Sequence, residues 1–290
     1  MPASLRLPRR KGGCGALFRS PAERSACHAS PINTTAQTWV RRFVPRGLRN
    51  WVRSPRKSLL WLADEARHLL GADVQVTLRP GWTVRSHPAA FRGAYYAQLN
   101  DPAQIREFDG FLASLTPGTR LFDIGAHFGA FSLAALHYGG PEARVLAVDP
   151  SPLACRMMRI QARLNGLADR FSIVQAAVGD HAGTEAMVAI GVLADGYFAV
   201  PDKGMPVPEL TLTEAITVDD LVERMGWLPT HIKIDVEGAE AAVLRGAQRT
   251  LSRAPAPLLF VEFHNALIRQ RQADPSESIR LLDRAGYRVY

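Results

Sequence analysis

The hydrophobic positions of this chain follow two recurring patterns, short apolar runs and longer stretches with helical spacing. Apolar runs predict buried strands at residues 121–123, 144–148, 171–178, 231–235 and 258–262. Helical spacing predicts helices at residues 131–137, 152–164, 239–251 and 276–285. Because strands and helices alternate, the pattern predicts an α/β fold with a mostly parallel, doubly wound sheet and helices on both faces.

The stretch ahead of this alternation has a different pattern. Residues 38–44 and 58–70 place Trp, Phe and Leu among Arg and Lys in the manner of basic amphipathic helices. Residues 74–78 and 83–85 predict a β-hairpin, and helical spacing follows at 91–99 and 105–115. We therefore expect an N-terminal helical and hairpin extension over residues 36–104, followed by the main domain at residues 105–290.

Residues 184–218 interrupt the alternation within the main domain. Strand-like runs at 184–188 and 210–218 flank a polar segment, Gly191 to Pro208, that is punctuated by Gly and Pro. Long segments of this kind in compact domains are often lids or disordered. We expect an insert beside the ligand cleft that helps to shape it.

The basic charge of the chain is confined to its beginning. Residues 1–57 contain 13 Lys or Arg and one acidic residue, Glu23, whereas the remainder contains 22 basic and 26 acidic residues. The main domain is thus mildly acidic, which disfavours a nucleic-acid partner, because such partners require a basic face. Residues 1–35 lack periodicity and predict a disordered basic tail, whose composition also fits a targeting segment or an incorrectly assigned start.

The cysteines and the hydropathy of the chain indicate the cellular compartment in which we expect the protein. Cys14, Cys27 and Cys155 show no metal-ligand spacing and no disulfide framework, and no segment approaches the ~20 apolar residues of a membrane span. These features favour a reducing, cytoplasmic compartment. The pattern at residues 38–70 fits peripheral contact with an anionic membrane, packing against the domain, or a dimer contact. The sequence does not indicate the oligomeric state.

The strongest chemical signal is the segment from Leu121 to Gly129, an apolar strand followed by a glycine turn and a helix. Its small residues let a ligand approach the backbone, and the helix N-terminus presents N–H groups to polar oxygens. The residues expected to contact a cofactor here are Asp123, Gly125, Ala126, His127 and Gly129. Asp149, at the end of the next apolar strand, is placed to accept both hydroxyls of a ribose.

Two cofactors fit this arrangement, S-adenosylmethionine (SAM) and a nicotinamide dinucleotide. The segment lacks the Gly-x-Gly-x-x-Gly fingerprint, and Asp123 stands two residues ahead of the first glycine. An anion there repels a pyrophosphate but suits the cationic amino end of SAM, which is therefore the predicted cofactor. Asp180, after the third strand, is placed to accept the adenine amino group, although a turn residue explains it equally well.

Four motifs carry a family resemblance: Leu121 to Ser132, Val148 to Pro152, Lys233 to Ala247, and Val261 to His264. Together they resemble the FkbM-type SAM-dependent methyltransferases, which implies the Rossmann-like class I methyltransferase fold. The block Lys-Ile-Asp-Val-Glu-Gly-Ala-Glu at residues 233–240 is the most specific of the four. The family pattern has Asn where this chain has His127 and Glu where it has Asp149. It also has a seventh, antiparallel strand, for which only the predicted strand from Gly286 remains.

The resemblance implies O-methylation of a hydroxyl group on a small molecule or a sugar. Because sites in such sheets lie beyond the carboxyl ends of the strands, we expect Asp235, Glu262 and His264 to form the catalytic group. His264 is the expected general base, and Asp235 is also expected to contact the cofactor. Asp235 with Glu262 could bind Mg²⁺, but no spacing requires it, and we predict no metal site. For Glu240 we expect only stabilisation of a helix N-terminus.

Two other functions stay open at this point. The main alternative is a catalytically silent module that keeps the fold and binds a membrane or a partner through its basic N-terminus. A NAD-dependent oxidoreductase is less favoured, because the third glycine of its fingerprint is missing. The sequence does not identify the acceptor.

Overall fold

A computed structural model describes residues 55–95, 99–188, 197–198 and 210–288 of the chain. The predicted basic tail, the predicted helix at 38–44 and most of the predicted insert from Gly191 to Pro208 lie outside the described residues. Residues Asn50–Tyr290 form one compact unit.

The first described elements are helices and a hairpin. They are α1 (Pro55–Leu69), β1 (Val74–Arg79), β2 (Trp82–Ser86), α2 (Pro88–Ala90), a π-helical turn (Phe91–Tyr95) and α3 (Pro102–Ser114). The strands β1 and β2 pair antiparallel, which confirms the predicted hairpin. Asp101 caps α3, because its carboxylate accepts hydrogen bonds from the N–H groups of Ala103 and Gln104.

The remaining elements alternate between strands and helical segments, except where the strands between residues 171 and 216 follow one another. They are β3 (Arg120–Ile124), α4 (Ala130–Tyr138), β4 (Arg144–Val148), α5 (Pro152–Leu164), a 3₁₀ turn (Ala168–Arg170), β5 (Phe171–Val174), β6 (Ala177–Val178), β7 (Gly183–Val188), β8 (Tyr197–Phe198), β9 (Leu210–Ile216), α6 (Val218–Met225), β10 (His231–Ile234), α7 (Glu240–Arg245), α8 (Gln248–Leu251), β11 (Leu258–Val261), α9 (Asn265–Gln270) and α10 (Glu277–Arg284). Five strands form a parallel central sheet in the order β11-β10-β3-β4-β5. The predicted α/β sheet is thus confirmed.

The central sheet buries apolar side chains on both faces. Leu121 and Val145 pack in a cluster that also contains residues of α3, α4 and α5. Phe122 and Leu146, their neighbours in the same strands, pack in a second cluster with residues of α6, α7 and α10. Because successive side chains of a strand point to opposite faces, continuous apolar runs are what a sheet covered on both sides requires.

Two strand predictions are wrong. The predicted strand over residues 171–178 is interrupted at Gln175 and Ala176, and β6 joins a second sheet in the order β6-β9-β7-β8. The chain leaves the central sheet there because β6 pairs with β9 instead. The predicted strand from Gly286 is not formed by residues 286–288, and no antiparallel strand joins the central sheet within the described residues.

The extension is fastened to the main domain through α5. Arg156 donates two hydrogen bonds to the carboxylate of Glu65 in α1, at 2.8 and 2.7 Å. Gln161, also in α5, donates from Nε2 to the hydroxyl of Tyr95 at 2.8 Å. These contacts favour packing of α1 against the domain. None of the helices in the described part of the chain combines the length and apolar character needed to cross a membrane.

Candidate active site

The carboxyl ends of β3, β10 and β11 border a cavity of about 380 Å³. It lies where the strand order reverses, between β3 and β10, which is where open α/β sheets bind ligands. The lining residues are Asp101, Gln104, Gly125, Ala126, His127, Phe128, Ala130, Phe131, Lys233, Asp235, Glu237, Glu262 and His264. Six residues predicted for the site are among them: Gly125, Ala126, His127, Asp235, Glu262 and His264.

The glycine turn after β3 is held against the end of β10. Gly125 has a left-handed backbone with φ of 76°, and a Cβ atom at this position would lie 1.8 Å from the carbonyl oxygen of Asp235. Its N–H donates to the carbonyl of Val148 at 2.8 Å, which ties the turn to β4 as well. Glycine is therefore required here both by conformation and by space. Gly129, by contrast, is not among the residues that line the cavity: it faces Met158 and Phe171 inside the fold and directly precedes α4.

Asp149 organises the same turn from the end of β4. Its carboxylate accepts hydrogen bonds from the N–H groups of His127 at 2.9 Å and Ser151 at 2.8 Å. Burial raises the pKa of Asp149 to about 6, against these two hydrogen bonds, which lower it. Asp149 is not one of the residues that line the cavity, although it lies directly behind His127. Its expected contact with a ribose stays a prediction.

Asp123 lies beneath the cavity and not on its wall. It belongs to β3, opposite Lys233 of β10, and its carboxylate accepts a hydrogen bond from Ser132 Oγ at 2.6 Å. Burial raises the pKa of Asp123, although the charge of Lys233 and the hydrogen bond from Ser132 lower it. The prediction placed Asp123 at the strand end, where it would meet an ammonium group. The structure corrects this, because β3 continues to Ile124 and keeps the carboxylate inside the sheet.

Lys233 brings a buried positive charge to the cavity floor. Its ammonium group lies 3.2 Å from Asp235 Oδ2 and 4.5 Å from the ring centre of Phe131. Burial lowers the pKa of Lys233, but four carboxylates outweigh burial, so that the pKa is raised: Asp235, Asp123, Glu107 and Glu262. The lysine is therefore charged at neutral pH and acts as an electrostatic partner of the surrounding acids.

The glycine turn forms one wall of the cavity, and His264 with the acids around it forms the second wall. Nε2 of the ring lies 3.8 Å from Asp235 Oδ1, 3.7 Å from Glu237 Oε2 and 3.6 Å from Glu262 Oε1. Nδ1 lies 2.9 Å from Oε1 of the fully buried Glu240. Burial lowers the pKa of His264, but the hydrogen bond to Glu240 and the charges of the three acids raise it above its ordinary value.

The pKa of Glu262, one of the carboxylates of this second wall, is raised. Burial raises the pKa of Glu262 most, the charges of Asp235 and Glu107 raise it further, and Lys233 and His264 lower it. Proton-transfer groups are commonly tuned by such neighbours. The structure thus brings together the three residues predicted for catalysis, Asp235, Glu262 and His264.

Three of these side chains could also hold a metal ion. Asp235, Glu237 and His264 each offer a ligand atom, and these atoms lie within 4.8 Å of one another. The sequence pointed to Asp235 with Glu262 as the pair for Mg²⁺. Oxygen ligands suit Mg²⁺, whereas an imidazole is more typical of transition metals.

Asp180, like Asp123, Gly129 and Asp149, is not among the residues that line the cavity. Its carboxylate pairs with Arg245 of α7 at 2.8 Å and with His181 at 3.0 Å. The hydrogen bond from His181 and those from Arg245 lower the pKa of Asp180. β5 ends at Val174, and the chain crosses to the second sheet before Asp180, so these ion pairs are the contacts that the structure gives to its carboxylate. Its expected contact with the adenine amino group stays a prediction.

Asp101 and Gln104 were missed by the sequence analysis. Both line the cavity from the first turn of α3, the helix that precedes β3. Nothing in the pattern of that helix distinguishes them from surface residues, because a polar face toward solvent and a polar face toward a cavity have the same spacing.

The comparisons with known proteins agree with this geometry. The family model described as "Methyltransferase FkbM domain" matches residues 123–289. A curated relative, the 31-O-demethyl-FK506 methyltransferase FkbM of Streptomyces tacrolimicus, is 29% identical over 167 residues, which are 46% of this chain and 61% of the relative. The ribosomal protein L11 methyltransferase of Pelotomaculum thermopropionicum is 35% identical over 80 residues, 27% of this chain and 25% of the relative. The chain thus spans less than two thirds of either relative.

Solved structures resemble parts of the chain at low overall similarity. A precorrin-6y C5,15-methyltransferase from Geobacter metallireducens has a TM-score of 0.37 at 13% identity, covering 63% of this chain and 72% of its own. Fibrillarin from Aeropyrum pernix, in complex with natively bound SAM, has a TM-score of 0.34 at 11% identity, covering 60% of each chain. The assignment rests instead on the family match, the parallel sheet and the glycine turn. The chain belongs to the FkbM methyltransferase domain family, a family of SAM-dependent methyltransferases with the class I fold.

Proposed function

We propose that this protein transfers the methyl group of SAM to a hydroxyl group of a small molecule or a sugar. The observation that carries the proposal is the composition of the cavity. One wall is a glycine turn that approaches the backbone of β10, and the other is a histidine surrounded by carboxylates. A cofactor-binding element and a proton-accepting element therefore face the same space.

The first wall fits SAM. Gly125, Ala126 and His127 would lie against the cofactor, with Asp149 behind the turn as the acceptor for the ribose hydroxyls. The feature that supports this fit is the turn itself, which Gly125 holds in a left-handed conformation against the backbone of β10, at the edge of the cavity. Asp235 and the charged Lys233 at the floor would complement the charged ends of the methionine moiety.

The second wall suits activation of a hydroxyl group. When bound, SAM supplies an electrophilic methyl group carried by a sulfonium. His264 Nε2 would receive the proton of the acceptor hydroxyl, and the nearby carboxylates would stabilise the resulting imidazolium. Asp101 and Gln104 would contact the acceptor from α3, where they can orient its other hydroxyl groups.

Calorimetric titration of the purified full chain tests the proposal, with SAM, S-adenosylhomocysteine and NAD as ligands. We expect micromolar binding of the two sulfur ligands and none of NAD. Transfer of labelled methyl from SAM to a panel of neutral sugars and hydroxylated metabolites, with and without Mg²⁺, then identifies the acceptor class. A folded protein that binds neither sulfur ligand would refute the proposal.

A second candidate is a catalytically silent module that contacts a membrane or a partner through residues 38–70. The exposed leucines of α1 and the following turn favour it, since Leu59, Leu69 and Leu70 are 63%, 82% and 84% exposed. Exposed apolar side chains beside basic residues are typical of helices that lie on anionic membranes. Binding of SAM without methyl transfer, together with binding to anionic vesicles, would support this candidate.

A further inference from the structure

Glu240 occupies a position that the sequence explains as a simple helix start. It is the first residue of α7, where a negative charge stabilises the helix dipole. Its side chain, however, is 0% exposed, whereas acids that only stabilise a helix N-terminus need no burial. In α6 of the same chain, Asp220 closes a capping box with Thr217 and stays partly exposed. The burial of Glu240 therefore requires another reason.

The contacts of Glu240 supply that reason. Its Oε1 accepts a hydrogen bond from the N–H of Gly238 at 2.9 Å, so this oxygen acts as an acceptor. The same oxygen lies 2.9 Å from Nδ1 of His264, and the hydrogen of that contact must then reside on Nδ1. With Nδ1 as the donor, the neutral ring carries its lone pair on Nε2.

Nε2 of His264 points into the cavity. The three carboxylate oxygens nearest to it, from Asp235, Glu237 and Glu262, lie 3.6 to 3.8 Å away, beyond hydrogen-bond length. At these distances none of the three acids makes a direct hydrogen bond to Nε2, so its lone pair can accept a hydrogen bond from a hydroxyl group that enters the cavity. His264 precedes α9, but its side chain does not cap that helix. The ring instead contacts Glu240 through Nδ1 and lines the cavity.

The burial of Glu240 has a cost that packing alone does not offset. Its second oxygen, Oε2, has no hydrogen-bond partner among the described residues. An unsatisfied buried carboxylate oxygen is destabilising. The interactions that compensate this cost are the hydrogen bond from Gly238, the contact with His264 and the charge of Arg271, and of these the contact with His264 is the one that leads to the predicted base.

We propose that Glu240 is a positioning residue that holds His264 in the Nδ1–H form, with the lone pair of Nε2 directed at the acceptor hydroxyl. This inference rests on the proposed function. Glu240 orients the base and partners its Nδ1–H when Nε2 takes the hydroxyl proton, but it does not touch the acceptor. The arrangement follows the general rule that a base within reach of the reacting group is oriented by a third group.

Histidine-ring nitrogen spectra of the ¹⁵N-labelled full chain test the proposal without any acceptor. The signal of His264 is assigned as the one missing from His264→Gln. We expect a protonated Nδ1 and an unprotonated Nε2 in the wild type once the pH has been raised until the ring is neutral. Glu240→Gln should shift this population toward Nε2–H, because an amide can also donate to Nδ1. A neutral wild-type ring that carries its proton on Nε2 would overturn the proposal, even where Glu240→Gln fails to fold.

A matched control is available outside the cavity. Asp73 contacts Nδ1 of His68 at 2.6 Å, and neither residue lines the site. Asp73→Asn should leave the His264 signal unchanged and methyl transfer intact. With an acceptor from the sugar panel, Glu240→Gln should lower kcat about tenfold to a hundredfold and leave the Kd of SAM unchanged. An unchanged kcat together with an unchanged ring signal would contradict the positioning role. If the wild type does not bind SAM, the proposed function is refuted. The ring spectrum would still decide the role of Glu240.

Discussion

The two walls of the cavity are built in different ways. The cofactor wall is the glycine turn after β3, and Asp149 supports this turn from behind by accepting hydrogen bonds from backbone N–H groups. The histidine wall combines side chains from the ends of β10 and β11 and from α7. The first depends on backbone conformation, and the second on the mutual placement of charged groups. The two walls should therefore respond differently to substitution.

The largest expected effect comes from adding a methyl group to the cofactor wall. Gly125→Ala would bring Cβ to 1.8 Å from the carbonyl oxygen of Asp235 at a φ of 76°, so the turn must move. We expect a loss of SAM affinity of about a hundredfold or more by calorimetry. Gly140→Ala is the matched control, since Gly140 has a φ of 74° and no neighbour within 4 Å of a Cβ. Equal losses in both variants would mean that general destabilisation, and not the turn, is responsible.

Substitution in the histidine wall should separate binding from turnover. His264→Ala removes the proposed base but leaves the glycine turn untouched. We expect the Kd of SAM to be unchanged and kcat to fall about a hundredfold or more. Steady-state kinetics with an acceptor from the panel, beside calorimetry, measures both. Full turnover in this variant would exclude His264 as the base.

Asp149, the acid behind the glycine turn, should have a smaller effect on SAM affinity, and this effect should depend on pH. The pKa of Asp149 is raised to about 6 by burial, so the ionised form that accepts hydroxyl groups is lost as the pH falls through that value. We expect SAM to bind about tenfold more weakly at pH 5 than at pH 7, and Asp149→Ala to weaken binding more than about tenfold at pH 7. Calorimetry at both values measures this effect. The same pH dependence in Asp149→Asn would assign it to another group.

The smallest effect is expected outside both walls. Leu69→Gln with Leu70→Gln removes two exposed leucines at the end of α1. If residues 38–70 contact a membrane, binding to vesicles that contain anionic lipid should fall several-fold in a sedimentation assay, while SAM affinity stays the same. Leu212→Gln, at a leucine of β9 that is 72% exposed, is the control. No vesicle binding by the wild type would remove the membrane proposal.

The elements that the sequence predicted correctly share a physical basis. Apolar runs identify β3, β4 and β10 because these inner strands of a covered parallel sheet are buried on both faces, and they identify the edge strand β11 although it is only partly buried. The glycine turn could be predicted because its backbone conformation requires Gly, as at Gly125, where no other residue fits. Asp235, Glu262 and His264 were found because parallel strands bring their carboxyl ends to one edge.

The errors also have identifiable reasons. The apolar run 171–178 contains two strands of different sheets, and the change of partner between Val174 and Ala177 leaves no mark on hydrophobicity. Asp180 follows that change, so its position relative to the cavity could not be inferred from the strand count. Asp123 was assigned to a strand end, but one more residue in β3 places its carboxylate inside the sheet, opposite Lys233.

By itself, then, the sequence determined the alternating fold, the turn that suits SAM and the edge at which the site lies, because these follow from burial and backbone conformation over short segments. Only the tertiary structure decided which polar groups meet there. Glu240 and His264 are 24 residues apart, and Asp101 and Gln104 belong to a helix ahead of the sheet. Contacts between side chains of distant segments depend on how α3, α7 and α9 pack on the sheet, and no local pattern of residues encodes that packing.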